Sequence, residues 1–188
     1  MVGIAGLGGL GSVVAWALAR SGVGRLIVAD FDRVEGDNLN RQQYFVEQIG
    51  QSKVTATIEN LQRVNPEVQV TGHEVQLDEA NIPTIFADVD VVAECFDQAS
   101  AKQMMVETVL TKLPGTPIVT VSGLAGYGHS NAIRTRVVTD RLILVGDNER
   151  GIDQGLPLTA GRVWIAASHQ ANAILELLLD GRIASETP

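Results

Sequence analysis

Val2-Gly3-Ile4-Ala5-Gly6-Leu7-Gly8-Gly9-Leu10-Gly11 opens the chain as an apolar stretch followed by a glycine-studded turn, and residues 12–19 continue it as an apolar run. A strand that ends in such a turn and leads into a helix places phosphate oxygens on the backbone N–H groups of the helix N-terminus. In that reading Gly6 makes the turn, Gly8 lets backbone approach a phosphate with no side chain in the way, and Gly11 allows helix and strand to pack closely. The same glycines would also serve a tight turn that binds nothing. Further along, Arg25-Leu26-Ile27-Val28-Ala29-Asp30 reads as a second strand closing on an acid. Asp30 lies at the βαβ spacing of a ribose-binding carboxylate. A dinucleotide or a mononucleotide satisfies this equally, and Asp30 can also simply end its strand.

Working outward, strand and helix alternate: strand near 2–5, helix near 10–21, strand near 25–30, helix near 52–65, strand near 68–74. A short helix near 79–86, a strand at 89–94, a helix at 98–112 and a strand at 117–121 continue the pattern. This predicts an α/β fold: a Rossmann-like, mainly parallel sheet of five parallel strands with flanking helices. Val54, Ile58, Leu61 and Val64 recur at helical spacing, with Ser52 as the cap and Asn65-Pro66 as the stop. Residues 133–138 and 142–145 read as a hairpin around Thr139-Asp140-Arg141, which gives the sheet a C-terminal antiparallel extension. A glycine-rich loop at 146–161 precedes a last helix at 162–179, too apolar to stand in solvent. The whole reads as one domain, residues 1–182, with a flexible tail at 183–188.

The 188 residues carry a net charge of −8, which speaks against non-specific nucleic-acid binding, a process driven by clustered Lys and Arg. One cysteine, Cys95, allows no intrachain disulfide. Together with the absence of a basic leader and of an apolar run of about 18–20 residues, this suggests a soluble protein of the reducing cytoplasm, with no membrane association. His73, His129 and His169 are dispersed and show no metal-ligand spacing. Cys95, inside an apolar strand end, reads as a buried, inert thiol rather than a nucleophile. Trp16 and Trp164 read as packing on helices.

Asp30-Phe31-Asp32-Arg33-Val34-Glu35-Gly36-Asp37-Asn38-Leu39-Asn40-Arg41-Gln42 adds far more specificity than the glycine turn. This stretch resembles the adenylation domain of the ThiF, MoeB and ubiquitin-activating-enzyme (E1-like) family. The resemblance extends through Gly50-Gln51-Ser52-Lys53-Val54 and Cys95-Phe96-Asp97. Within it Ser122-Gly123-Leu124-Ala125-Gly126-Tyr127-Gly128 is similar to the loop of short ThiF proteins, which adenylate the sulfur carrier ThiS.

The resemblance implies that Gly6, Gly8, Gly9 and Gly11 contact ATP, Asp30 the ribose, and Asn38, Arg41 and Lys53 the phosphates, with Asp97 holding Mg2+. It implies an ATP-dependent adenylyltransferase that activates the C-terminal Gly-Gly carboxylate of a ubiquitin-like sulfur carrier, in thiamine biosynthesis, and acts as a homodimer. Arg41, Lys53 and Asp97 are its expected catalytic residues. The pattern departs from the family in three places. Relatives carry a helical segment before the glycine turn, often supplying an arginine across a dimer interface; they carry zinc-binding cysteine pairs; and many have asparagine where Gln98 stands.

Residue chemistry points the same way. Attack of a carboxylate on the α-phosphorus of ATP brings two anions together, so fixed cations and Mg2+ are needed. Arg41 offers a forked donor and Lys53 a point charge. Each also has a plainer reading. Asn38 and Arg41 can stabilise their own long loop, Lys53 can point to solvent, Asp97 can cap the helix at 98–112, and Asp32 and Glu35 can be solvated acids. Other functions stay open: adenylation of a modified tRNA base, as in the threonylcarbamoyladenosine dehydratase; an NAD-dependent oxidoreductase, which leaves Asn38, Arg41 and Lys53 without a shared task; or a nucleotide-binding protein without turnover.

Overall fold

The computed structural model describes residues 1–151 and 154–183. The elements follow in the order β1 (Val2–Ala5), α1 (Gly9–Arg20), β2 (Arg25–Asp30), α2 (Lys53–Val64), β3 (Gln69–Glu74), α3 (Ile82–Ile85) and β4 (Val91–Glu94). They continue with α4 (Ala99–Lys112), β5 (Ile118–Val121), β6 (Arg134–Thr139), β7 (Leu142–Gly146) and α5 (Ala160–Asp180). The element near 79–86 is reduced to the single turn of α3, and the expected tail lies, beyond residue 183, outside the described residues.

One seven-stranded sheet runs β3-β2-β1-β4-β5-β7-β6. Strands β3, β2, β1, β4, β5 and β7 are parallel, and β6 is antiparallel to β7. The hairpin is therefore real, but the sequence reading of five parallel strands is one short. β7 lies beside β5 in parallel register, Ile118 against Leu142 through Val121 against Val145, and only the edge strand β6 reverses. Leu142-Ile143-Leu144-Val145 of β7 is an unbroken apolar run that suits either direction, so nothing local revealed the choice.

The topology fixes where a ligand can sit. Chain order climbs outward from β1 to β3 and then restarts on the other side of β1 with β4, so the carboxyl ends of β1 and β4 face each other at a topological switch point. Open α/β sheets bind ligands in that crevice. Two apolar layers hold the sheet. On one face Ile4, Val28, Val91 and Val119 pack with Leu18 of α1, Leu61 of α2 and Ile174 of α5. On the other, Val92 and Ile118 pack with Ile82 of α3 and Met105 and Val109 of α4. Ser52 caps α2 by accepting the Thr55 N–H at 3.3 Å, as its sequence position predicts. Among the described residues no helix is long and apolar enough to cross a membrane.

Gly11 is where the helix meets the strand turn: a Cβ there would run into the Gly6 carbonyl oxygen. The Gly6 carbonyl is backbone and cannot step aside as a side chain would. Gly11→Ala is expected to lower the stability of the chain by about 1–3 kcal/mol, as overpacking does, measurable by urea unfolding. An unchanged midpoint would show that α1 can shift away from β1 without loss.

Candidate functional site

Gly6 takes φ +91°, a left-handed conformation that side chains rarely adopt, and its N–H donates to the Ala29 carbonyl. The chain thus leaves β1 sharply and enters α1 with Gly8 at the N-cap. Within the run the four glycines differ. Gly6 is hemmed in by the Cys95 carbonyl and Phe96, Gly9 by Val163, and Gly11 by Gly6, whereas a Cβ on Gly8 would meet only Gln42 Nε2, 4.0 Å away. Gly8 is the open face of the turn.

The turn is held rigid from both sides of Leu7. Asp30 at the end of β2 accepts the Leu7 N–H through Oδ2 and the Asp32 N–H, at 2.7 Å, through Oδ1. Tyr44 donates its hydroxyl to the Leu7 carbonyl at 2.8 Å and meets Thr57 Oγ1 at 3.1 Å. Burial pushes the Asp30 carboxyl above its ordinary value, and the Lys53 charge and the two amides pull it back in part. Asp30 therefore shapes the loop on which a nucleotide would rest.

Lys53 does not point to solvent. It is 5% exposed, at the first position of α2, and its Nζ donates to Asp32 Oδ2 at 2.7 Å. Its backbone N–H donates to the Asp32 carbonyl at 3.0 Å. The cation sits where the helix dipole disfavours it, and the Asp32 carboxylate offsets that. Asp32, read from sequence as a solvated acid, is 48% exposed along its side chain yet holds this pair.

Arg41 leans on its own loop: Nη2 donates to Asn38 Oδ1 at 3.0 Å and Nη1 to Asn40 Oδ1 at 2.9 Å. Asn38 Nδ2 donates to Glu35 at 3.2 Å. The loop-stabilising role considered for Asn38 and Arg41 is thus realised, with Arg41 half-buried and its Cγ near Gly9. Asp97 stands differently. The helix begins at Ala99 with Gln98 as N-cap and no side-chain cap bond, so Asp97 does not cap α4. Its carboxylate is exposed at the carboxyl edge of β4. Among the described residues no group of three or more His, Cys, Asp or Glu could hold a metal by itself. A lone free carboxylate suits Mg2+, which is usually held by one or two carboxylates together with substrate phosphates and waters.

Residues 1–180 match the ThiF family. The chain belongs to it. An adenylyltransferase and sulfurtransferase, MOCS3 of Caenorhabditis briggsae, is 38% identical over 127 residues, which cover 67% of this chain and 31% of that protein. The adenylyltransferase and sulfurtransferase uba4 of Emericella nidulans is 36% identical over 127 residues, 67% of this chain and 26% of that one. This ThiF-family chain thus spans less than a third of the length of these two relatives. Among solved structures, the E. coli tRNA N6-threonylcarbamoyladenosine dehydratase TcdA in complex with AMP superposes with a TM-score of 0.80, covering 94% of this chain and 86% of that one at 21% identity. Its complex with ATP gives 0.79 at 20% identity, covering 95% and 87%. At that identity the likeness establishes the fold.

The ThiF-family fold also assembles residues that sequence reading passed over. Gln42, 6% exposed, lies against Gly8 with Oε1 buried and unbonded. Its place at the end of the Asp30 to Gln42 stretch is the only signal the sequence offers for it. Glu94 is fully buried at the end of β4, where it accepts the Phe96 N–H at 2.7 Å, Lys102 Nζ at 3.0–3.1 Å and the Thr120 hydroxyl. An acid closing an apolar strand was its only trace. Cys95 is buried, as expected; burial, with the neighbouring Glu94 charge, pushes its thiol far up, against thiolate chemistry. Trp164 departs from the packing role expected of it: it is 42% exposed, and its indole N–H donates to the Arg41 carbonyl at 2.9 Å.

Proposed function

We propose that this chain is the ATP-binding unit of an adenylyltransferase that activates the C-terminal glycine carboxylate of a ubiquitin-like sulfur carrier as an acyl-adenylate, with release of pyrophosphate. The observation that carries this reading is the Gly8 cradle. In a turn whose other glycines are enclosed, Gly8 faces open space, with Gln42 Nε2 the nearest atom to where a Cβ would stand. A glycine left open at a helix N-terminus lets a phosphate approach the backbone N–H groups with no side chain in the way. An NAD enzyme would also use the cradle, but it would leave Asn38, Arg41 and Lys53 without a shared task.

The reaction joins a carrier carboxylate oxygen to the α-phosphorus and breaks the bond from that phosphorus to the bridging oxygen, so pyrophosphate leaves with the electron pair. No protein base is required, because the attacking carboxylate is already ionised near neutral pH. The α1 N-terminus at Gly8 supplies backbone N–H groups to phosphate oxygens. Lys53, fixed by Asp32, and Arg41, fixed by Asn38 and Asn40, supply positive charge where the leaving group gains negative charge. Asp30 holds the loop and keeps acceptor capacity toward a ribose hydroxyl. Asp97 would hold Mg2+, which neutralises phosphate charge when bound.

The relatives' names couple adenylyl transfer to sulfur transfer, which favours a sulfur carrier as acceptor. A ThiS-like carrier is the first of that class to try. Exchange of labelled pyrophosphate into ATP with Mg2+ is expected with a carrier ending in Gly-Gly and absent with the same carrier lacking its terminal glycine. ATP binding without exchange would reject carrier activation and turn attention to a tRNA acceptor or a binding role; binding of NAD but not ATP would reject the nucleotide assignment itself.

A further inference from the structure

Three consecutive residues at the start of α5 touch three different loops of the site. Arg162 is 2% exposed and donates to the carbonyls of Leu124 at 3.3 Å, Gly128 at 2.9 Å and His129 at 3.1 Å in the loop after β5. Val163 lies against Gly9: a Cβ on that glycine would come within 3.0 Å of Val163 Cγ1. Trp164 donates its indole N–H to the Arg41 carbonyl. The next residue but one is already tied elsewhere, since the Gln43 N–H donates to Ser12 of α1 and its carbonyl accepts from Asn60 of α2. The irregular Arg41 segment is thus fastened to all three helices on this face, and its fastening at Arg41 itself is Trp164.

We propose that Trp164 is a positioning residue for Arg41, fixing its carbonyl so that the guanidinium is aimed at the phosphates of a nucleotide seated on Gly8; this rests on the nucleotide reading above. Three features support it. The indole is large and partly exposed, a poor choice for a residue needed only to fill a core. Its polar atom is used, and used on the backbone of the one arginine at the cradle. Its own place is rigid, because the preceding turn of α5 is clamped through Arg162. A peptide unit held at its carbonyl cannot swing, so the side chain leaves its Cα in a fixed direction, and the Asn38 and Asn40 bonds then select its rotamer.

The test compares the affinities of ATP and AMP, each with Mg2+, by titration calorimetry on the full chain and on Trp164→Phe, Arg41→Ala and the double variant. Phe keeps the ring and removes the donor. Loss of one such bond predicts an ATP affinity about five-fold weaker in Trp164→Phe. AMP, with fewer phosphates for Arg41 to meet, should change by no more than about two-fold. A residue that acts through Arg41 has nothing left to position once Arg41 is gone, so the double variant should match Arg41→Ala. Unchanged ATP affinity in Trp164→Phe, or the same loss with and without Arg41, overturns the proposal while an ATP effect of Arg41→Ala leaves the nucleotide reading standing. An Arg41→Ala variant that binds ATP unchanged overturns the proposal and leaves ATP binding standing, whereas failure of the unaltered chain to bind ATP overturns both.

Discussion

Replacing Arg162 by methionine is expected to destabilise the chain by about 3–5 kcal/mol, the scale of breaking a buried ion pair from one side. Arg162 and Asp147 are both buried, and the guanidinium donates to Asp147 Oδ2 while three of its bonds go to loop carbonyls. Methionine fills much of the volume but leaves a buried carboxylate and those carbonyls without their donor. Asp147→Asn, which keeps an acceptor, should cost less. Removing both charges with well-packed apolar residues should recover part of the loss, because desolvating the pair is itself unfavourable. Urea unfolding of the three variants measures this; equal stability of Arg162→Met and the unaltered chain would mean that the pair is solvated in solution.

The same pair predicts the acid side of the stability curve. Burial raises the Asp147 carboxyl, but the Arg150 and Glu149 N–H groups and the Arg162 guanidinium outweigh it and hold the group below its ordinary 3.8. A carboxyl lowered by folding contributes stability that is fully present above its unfolded value and is lost as pH falls through its folded value. The loss therefore belongs below about pH 4, and the Arg162→Met variant should show less of it.

Lys53→Met is the second large effect, and it falls on activity. Lys53 is buried and fixed at both ends by Asp32, so its ammonium is preorganised rather than mobile, contrary to what a lysine in the first turn of a helix suggests. Preorganised charge at a site where negative charge develops is worth about 10²–10³ in rate. Carrier-dependent pyrophosphate exchange should fall by that factor. Folding should survive, because methionine fills the stem and the remaining Asp32 carboxylate is half exposed and can be hydrated. Asp32→Asn should give a smaller loss, since the cation stays but is no longer aimed. Exchange at the unaltered rate in Lys53→Met would remove Lys53 from the reaction.

Much of the site was legible because its signals are local. Gly6 and Gly11 announce a backbone that tolerates no Cβ, and the structure places both where a side chain would strain or collide. Arg41, Asn38 and Lys53 stand out as polar residues within the quoted stretches; Arg41 packs beside Gly9 and bonds Asn38, and Lys53 bonds Asp32. Their partners were not legible. Nothing adjacent to Lys53 reveals that Asp32 is its counter-ion, and capping, the plainer alternative to Mg2+ binding at Asp97, fails because the helix starts two residues later, at Ala99. Trp164 meets Arg41 across 123 positions of chain, a distance over which no spacing rule operates.

By itself the sequence determined what local forces decide: short, mainly apolar runs made the central strands, the Val54 to Val64 spacing made α2, Ser52 began it, and the glycine run set the turn at the switch point. Tertiary structure alone decided what depends on which surfaces meet. Strand β7 pairs in parallel with β5 although its apolar residues suit either direction. Glu94 with Lys102, Arg162 with Asp147, and Trp164 with Arg41 are brought together only when the layers close. A polar side chain carries no record of its partner; the packed core assigns one, because a buried charge or donor without a partner is too unfavourable to persist.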